Sequence, residues 1–501
     1  MKIVLPKSYK FKRNRIGRIG IIDVGSNSVR LVVFNGVSRS PTYFFNEKVL
    51  CGLGRGLGKT HYLSVEGKEK TITAIKRFLA ITKKMNLNEL LGVATAAVRN
   101  SIDGLSFVES VNKETGLNLN IVTGYEEAEL SANGVLLGWP EARGVVCDIG
   151  GGSLELAEVS AGKVGKCATS LLGTLVLQDF RGSEKNFIKF IKSSVADLCK
   201  NYGQSKQNIY LVGGSFRAFA RIDMARSNYP LRILHEYKIS ASQALETAAW
   251  IMSHSIEDFC ALSDTSVDRL SLLPICSKVL VELILSLKAQ EVYFSSYGLR
   301  EGILFSQMPN KFRVLDPLIE GCRYQEALAS RSPGFGDKLY EWILPIFQSL
   351  SDCDKRLFHA ACLLHDTTWK AHPDYRAEMS FETVTRANLG GIDHQGRIFL
   401  ALALMSRYKK MNPESNISGP LRLLDSRRSD LAIALGRAMR LGAMVSGTSQ
   451  VNLKKSRLVS EHNSIKLIFR KSGFNLIGDT VESRLNALAK SLGKTSIIEK
   501  H

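Results

Sequence analysis

The chain of 501 residues is 45% hydrophobic and 23% charged, the balance of a globular protein long enough for about three domains. Its 67 lysines and arginines against 47 acidic residues leave a formal charge of +20, which points to an acidic partner such as nucleic acid, inorganic polyphosphate or anionic lipid. Nine scattered cysteines without a Cys-x-x-Cys pair argue against a disulfide framework and a zinc ribbon and read as core thiols, and the lack of a roughly 20-residue apolar run or an N-terminal apolar segment points to a cytoplasmic protein without a membrane span.

The charge is uneven. Residues 1–18 carry seven basic residues and no acidic one, a basic arm ahead of the first strand. Residues 19–24 then form an aliphatic strand ending in Asp-Val-Gly-Ser-Asn-Ser, Asp23 to Ser28, and further strands are expected over 29–34 and 43–50. Cys51 to Thr60 is glycine-rich and includes Gly58-Lys59-Thr60, but Leu53 stands where a phosphate-binding P-loop needs its first glycine, so the segment is expected to be a mobile loop beside a cleft. Residues 65–85 have helical spacing, with Ile72, Ile75 and Leu79 on one face. A strand over 91–97 ending at Arg99, a helix over 105–114, a strand over 117–122 and a helix opening at Glu126 and Glu127 complete a first unit.

The same order restarts at residue 144. A strand over 144–149 carries Asp-Ile-Gly-Gly-Gly-Ser, Asp148 to Ser153, and strands over 154–159 and 163–170 follow. A helix over 187–202, a strand over 208–212 running into Gly213-Gly214-Ser215, a long apolar helix over 267–288 and a strand over 291–295 close this half. Past residue 310 the chain turns helical, over 315–329, 336–350, 354–364, 397–408 and 431–445, and a strand at 464–469 with a helix at 481–492 follows a weaker boundary near 450. The pattern predicts an α/β fold with mixed sheets, divided at 19–135, 136–310, 311–450 and 451–501.

Two loops of the form Asp-aliphatic-Gly-small-small-Ser suggest a phosphate site gripped from both sides, because glycine admits close approach and successive N–H groups form an anion-binding nest. The expected phosphate contacts are Gly25, Ser26, Asn27, Ser28, Gly150, Gly151, Gly152 and Ser153, with Gly213 and Gly214 as a third contact. Asp23 and Asp148 end their strands where carboxylates can hold Mg²⁺, and Glu155 can point back into the same cleft. Arg99 offers a guanidinium for phosphate, and the pair Glu126 and Glu127 can include a general base. Residues 401–501 hold eighteen basic against seven acidic residues, a net of +11, and Arg422, Arg427, Arg428, Arg437, Arg440, Lys454, Lys455 and Arg457 are read as a groove for a long polyanion.

The duplicated loops, Val93-Ala94-Thr95 leading to Arg99, Gly124-Tyr125-Glu126-Glu127-Ala128, Asp148 to Ser153 with Glu155, and Gly298-Leu299-Arg300-Glu301-Gly302 resemble the exopolyphosphatase and guanosine pentaphosphate phosphohydrolase family over residues 19–305. The resemblance implies two duplicated ribonuclease-H-like domains, as in sugar kinases, actin and heat-shock chaperones. It implies Mg²⁺-dependent removal of the terminal phosphate from linear polyphosphate or from guanosine pentaphosphate, with K⁺ as a further cofactor, guanosine tetraphosphate as a further ligand, and a homodimer. A phosphotransferase using polyphosphate or ATP is the more distant reading. By resemblance Glu127, rather than Glu126, is the base, Arg99 the phosphate-binding arginine, and Asp148 and Glu155 the metal-associated carboxylates. His365-Asp366 corresponds to a helical domain similar to HD phosphohydrolases; His359, His372 and His394 do not supply the remaining ligands, so a degenerate, structural domain is expected there.

Overall fold

Strand β1, Arg18–Val24, buries Ile19, Ile21, Ile22 and Val24 and turns at Gly25 to Asn27 into its antiparallel neighbour β2, Ser28–Phe34. Both are near-continuous aliphatic runs, as strands covered on two faces require. β3, Tyr43–Leu50, pairs antiparallel with β2, while β4, Leu87–Ala94, runs parallel to β1 and β5, Leu119–Ile121, parallel to β4, giving the order β3-β2-β1-β4-β5. The computed structural model describes residues 17–36, 38–200, 202, 208–409 and 418–501, so almost all of the expected basic arm lies outside the described residues.

A second sheet contains β6, Gly144–Ile149; β7, Leu154–Ser160; β8, Lys163–Ser170; β9, Asn208–Val212; β10, Tyr237–Ser240; and β11, Glu291–Phe294, in the order β10-β11-β9-β6-β7-β8. Read from β8, it has the same arrangement as the first: two antiparallel strands, the strand bearing the Asp-x-Gly loop, then two parallel strands, with β10 added antiparallel at the edge. The loops at Gly25, Thr95, Gly150 and Gly213 all leave the carboxyl ends of the central parallel strands β1, β4, β6 and β9, the ends at which open α/β sheets bind ligands.

Several elements differ from the sequence expectation. The strand expected over 91–97 ends at Ala94 and gives way to a helical turn, Ala96–Arg99, so Arg99 leaves the strand line. The 267–288 stretch is two helices, Val267–Leu270 and Leu273–Leu287, because Pro274 has no N–H to continue a helix and sits in the first turn of the second. Val267–Leu287 is apolar enough in composition to cross a membrane, yet its Cys276, Val279, Leu280, Leu283 and Leu287 bury in the core of the second sheet. The helices Gly214–Arg226 and Ala241–Ser253 fill a stretch that sequence patterning left unassigned.

The helices Gly124–Gly138 and Leu299–Ser306 cross at two glycines. A Cβ on Gly302 would lie 1.7 Å from the carbonyl oxygen of Leu130, and one on Gly134 would lie 2.3 Å from that of Gly298. Only hydrogen fits at this crossing, which holds Glu127 on one helix and Arg300 on the other in fixed relation.

The chain divides into two units, Met1–Leu315 and Asp316–His501. In the second, helices Pro317–Ala329, Phe335–Ile343, Asp352–Leu364, Arg376–Arg386, His394–Tyr408 and Ser426–Ser446 share one core with the sheet of β12, Ser456–Ser460; β13, Ser464–Phe469; and β14, Thr495–Lys500. That core crosses position 450: Leu458, Leu467 and Leu485 belong to the same cluster as Leu435 and Leu441, so the 451–501 segment is built onto the helices rather than standing apart. Asp366 is fully buried and accepts from Arg331 Nη2 at 2.7 Å, Arg331 Nε at 2.9 Å and Arg407 Nη2 at 3.3 Å, while His365 Nδ1 lies 2.8 Å from the Cys362 carbonyl. Two guanidiniums thus occupy the carboxylate that a metal pair would need. All nine cysteines are free; six are buried, but Cys260 and Cys353 are exposed rather than core thiols.

Candidate active site

The two Asp-x-Gly loops make the same turn: the Gly25 N–H donates to the Ser28 carbonyl at 3.0 Å, and the Gly150 N–H to the Ser153 carbonyl at 2.9 Å. Their next carbonyls are taken by flanking loops. Ser26 O accepts from Gly54 N–H at 2.7 Å, Asn27 O from Cys51 and Gly52 at 3.1 and 3.0 Å, and Gly151 O from Leu175 at 2.9 Å. The N–H groups of Ser26, Asn27, Gly151 and Gly152 have no acceptor among the described residues. Carbonyls held and N–H groups free is the arrangement of an anion nest. The glycine-rich segment after β3 is therefore no P-loop; its backbone donors orient the first loop. The loops also close on each other, since a Cβ on Gly151 would come 3.0 Å from Ser26 Cβ and one on Gly152 2.9 Å from Ala96 Cβ.

A cavity of about 160 Å³ is lined by Asp23, Gly25, Ser26, Glu127, Asp148, Gly150, Gly151, Gly152, Ser153, Gly213, Arg217 and Arg300. Gly213 has φ +110°, and a Cβ there would meet Ile149 O at 2.5 Å, so glycine is required where β9 enters the site. The two glutamates at the start of the Gly124–Gly138 helix have different tasks. Glu126 completes a capping box: its carboxylate accepts from the Thr123 N–H at 2.8 Å and hydroxyl at 2.9 Å, which turns it back onto the helix end. Glu127 reaches the cavity and accepts from Arg99 Nη1 at 2.7 Å. Burial pushes its carboxyl up to about 7; Arg99 opposes the rise, and Asp148 and Asp23 add to it. A carboxyl so placed exchanges a proton near neutral pH, as a general base must. Burial also raises Asp23 and Asp148, and Ser131 donates to Asp148.

Arg99 and Glu155 stand behind this cavity rather than in it. From its helical turn Arg99 donates to the Val122 carbonyl at 2.9 Å and to Glu127, which occupies the guanidinium expected to grip phosphate. Glu155, the cross-strand partner of Asp148, is 1% exposed; it accepts from Thr169 Oγ1 at 3.2 Å and lies 3.8 Å from Arg99 Nη2. Asn27 and Gly214 line an adjoining chamber, and Ser28 begins β2. The cations that do line the cavity, Arg217 and Arg300, were not assigned from sequence. Arg300 lies 3.4 Å from Asp23 Oδ2, and its buried Nε has no partner among the described residues. Burial lowers Arg217 to about 10, the charges of Arg300 and Arg269 adding, and its Nη1 donates to the Ser296 carbonyl at 3.1 Å. Arg300 was visible inside its five-residue motif, and Arg217 lies one helical turn beyond Gly213.

Among the described residues no three Asp, Glu, His or Cys side chains gather closely enough to hold a metal ion. Asp23 and Asp148 nevertheless line one cavity. One or two carboxylates completed by water and substrate phosphates is how Mg²⁺ is held at phosphoryl-transfer sites, so this pair fits the ion.

The eight basic residues of the expected polyanion groove do not share a face. At about 100° per residue, Arg427, Arg428, Arg437 and Arg440 spread around the Ser426–Ser446 helix. Arg437 donates to the Ala487 carbonyl at 3.3 Å, and Arg428 lies 5.8 Å over the Phe399 ring. Arg422 and Lys454 are exposed in turns, Arg457 is exposed on β12, and Lys455 is half-buried.

The description Ppx/GppA phosphatase family matches residues 32–311, and exopolyphosphatase, C-terminal, matches residues 318–498. Retrograde regulation protein 2 of Saccharomyces cerevisiae is 24% identical over 458 residues, 83% of this chain and 77% of that protein. Exopolyphosphatase 1 of Mycobacterium tuberculosis is 34% identical over 143 residues, covering 28% of this chain and 42% of that protein. Among solved structures, an exopolyphosphatase from Cytophaga hutchinsonii superposes with a TM-score of 0.52 at 20% identity, over 58% of this chain and 97% of that one. The PPX-GPPA enzyme of Aquifex aeolicus gives a TM-score of 0.51 at 22% identity, over 58% and 99%. The two superpositions speak for the fold alone.

Proposed function

We propose that this chain, which belongs to the Ppx/GppA phosphatase family, is an exopolyphosphatase that removes the terminal phosphate of linear inorganic polyphosphate as orthophosphate. The observation that carries the reading is a base held near neutrality by burial and Arg99, in one cavity with two phosphate nests and Arg217 and Arg300. The nests and the two arginines hold the oxygens of the terminal phosphate, where charge is spread in the transition state of phosphoryl transfer. Glu127 takes a proton from water as its oxygen bonds to the terminal phosphorus; the P–O bond to the chain breaks and the shortened chain leaves with the electron pair. Arg99 keeps Glu127 aimed at the water. Mg²⁺ bound at Asp23 and Asp148 would neutralise part of the phosphate charge.

The matching strand orders of the two sheets support a duplicated ribonuclease-H-like first unit, and the buried His365-Asp366 pair supports a degenerate HD-like site in the second. The test is orthophosphate release with Mg²⁺ from long polyphosphate, tripolyphosphate and guanosine pentaphosphate, with and without ADP. Release from polyphosphate without ADP is expected. Release from guanosine pentaphosphate alone would move the substrate to the nucleotide, ATP formed from ADP would make the protein a phosphotransferase, and no release from any substrate would reject hydrolysis.

A further inference from the structure

Glu301 is 2% exposed on the helix Leu299–Ser306, directly after Arg300, and does not line the phosphate cavity. A carboxylate at that depth is ordinarily paired with a cation. Glu301 is held by neutral donors instead. Its Oε2 accepts from the Gly298 N–H at 2.9 Å, which closes the start of the helix, and its Oε1 accepts from the Tyr43 hydroxyl of β3 at 3.0 Å. No arginine nitrogen lies within ion-pair distance of it among the described residues.

Three arginines nevertheless feel its charge. Burial works against the charge of Arg300, and Glu301 comes before Asp23 among the groups that restore it. Arg217 and Arg30 are pushed down by burial and then by Arg300, and Glu301 is the foremost group opposing both shifts. Arg30 stands across from Asp23 in the β1–β2 pair. Since Asp23 and Asp148 are the carboxylates that fit Mg²⁺, Glu301 is the acid left to balance the arginines.

The two hydrogen bonds decide what kind of balance this is. A carboxylate free to turn would close on Arg300 and take the N–H groups that a phosphate needs. Held by Tyr43 and Gly298, it acts on the cavity through space, while the buried Nε of Arg300 has no partner among the described residues.

We propose that Glu301 is a positioning residue that tempers the phosphate cavity. It is a fixed negative charge behind Arg300, kept off the guanidiniums by Tyr43, and it limits how firmly orthophosphate is retained after cleavage. The proposal rests on the reading of the cavity as the terminal-phosphate site. Two nests and two arginines hold a product phosphate as well as a substrate one, and grip of that uniform kind slows release without speeding the chemical step. Glu301 touches none of the reacting atoms.

The test is calorimetric binding of orthophosphate to the full-length protein and to its Glu301→Gln, Glu301→Asp and Tyr43→Phe variants, with KM and kcat for tripolyphosphate measured alongside. Glutamine suits the third position of a capping box as glutamate does, so Glu301→Gln keeps the helix start and removes only the charge. It is expected to bind orthophosphate roughly ten- to hundredfold more tightly, with KM for tripolyphosphate and kcat both lowered. Glu301→Asp retains the charge and is expected to stay within a fewfold of the parent in orthophosphate affinity. Tyr43→Phe releases one carboxylate oxygen to turn onto Arg300, so orthophosphate is expected to bind less tightly, the opposite sign to Glu301→Gln. A merely structural glutamate gives weaker or unchanged orthophosphate binding in folded Glu301→Gln, and that result overturns the proposal. Shifts of the same sign in Glu301→Gln and Tyr43→Phe overturn it too. Tighter orthophosphate binding in Glu301→Gln, with no phosphate release by the parent from any polyphosphate, leaves the role of Glu301 standing and rejects the hydrolase.

Discussion

Gly302→Ala tests whether the glycine crossing sets the geometry of the site. The new Cβ would lie 1.7 Å from Leu130 O, 2.6 Å from Leu130 C and 3.0 Å from Gly134 N, all main-chain atoms that no rotamer change can move. Bringing the shortest contact out to an ordinary separation of about 3.5 Å requires the two helices to part by more than about 1 Å. Arg300 is two residues before Gly302 on the same helix, so it is carried away from Asp23, now 3.4 Å distant. Overpacking of this kind costs about 1–3 kcal/mol of stability, and a displacement of about 1 Å at a catalytic site costs about a hundredfold in rate. Denaturant titration and orthophosphate release measure the two effects. Gly478→Ala is the control: its backbone is extended and nothing lies within 4 Å of the added Cβ, so it is expected to lose only the roughly 1 kcal/mol or less that Ala costs at the N-cap of the Asp479–Ser491 helix and to leave the rate unchanged. A Gly302→Ala protein with unaltered stability and rate would refute the crossing as the element that fixes the site.

Asp148→Asn replaces a ligand for a hard cation by a neutral amide and is expected to raise the Mg²⁺ concentration for half-maximal rate by at least about tenfold; an unchanged Mg²⁺ titration removes Asp148 from the metal site. In the second unit, burial pushes His365 down to about 3, with the charge of Arg407 adding and Asp366 opposing. Its ordinary value is about 6.5, so the unfolded chain takes the proton first: stability is full above pH 6.5 and falls by about 1.4 kcal/mol per pH unit from there toward pH 3. His365→Gln is expected to flatten that part of the acid limb in denaturant titrations, and an acid limb as steep as the parent's would show that other groups set it.

The loops and their strands were legible because their signals are local. β1, β2, β6 and β7 are aliphatic runs bounded by Gly-Ser turns, and the repeated Asp at the same offset announced two equivalent loops. The capping box at Thr123 gives a physical reason for Glu127 over Glu126, since it occupies one carboxylate and leaves the other for the cavity. What sequence did not settle is how the chain is brought together in space. Arg217 and Arg300 come from separate elements, and nothing in their spacing announces that they meet. Arg99 sits on a helical turn in place of the expected strand end, so its guanidinium meets Glu127 and the Val122 carbonyl, neighbours that the strand reading did not supply. The basic C-terminal residues misled for a related reason: net charge says nothing of faces, and the Ser426–Ser446 helix turns its arginines in different directions.

The most direct test of the account compares Glu127→Gln with Glu126→Gln in orthophosphate release from polyphosphate, with tripolyphosphate binding measured on both. Loss of a general base costs about 10² to 10⁴ in rate, so Glu127→Gln is expected to fall by that factor while still binding the chain. Glu126→Gln, which alters only the helix cap, is expected to lose about 1 kcal/mol of stability or less and to keep its rate within a fewfold. An active Glu127→Gln protein, or a folded Glu126→Gln protein that binds polyphosphate and releases nothing, would contradict the assignment of the base.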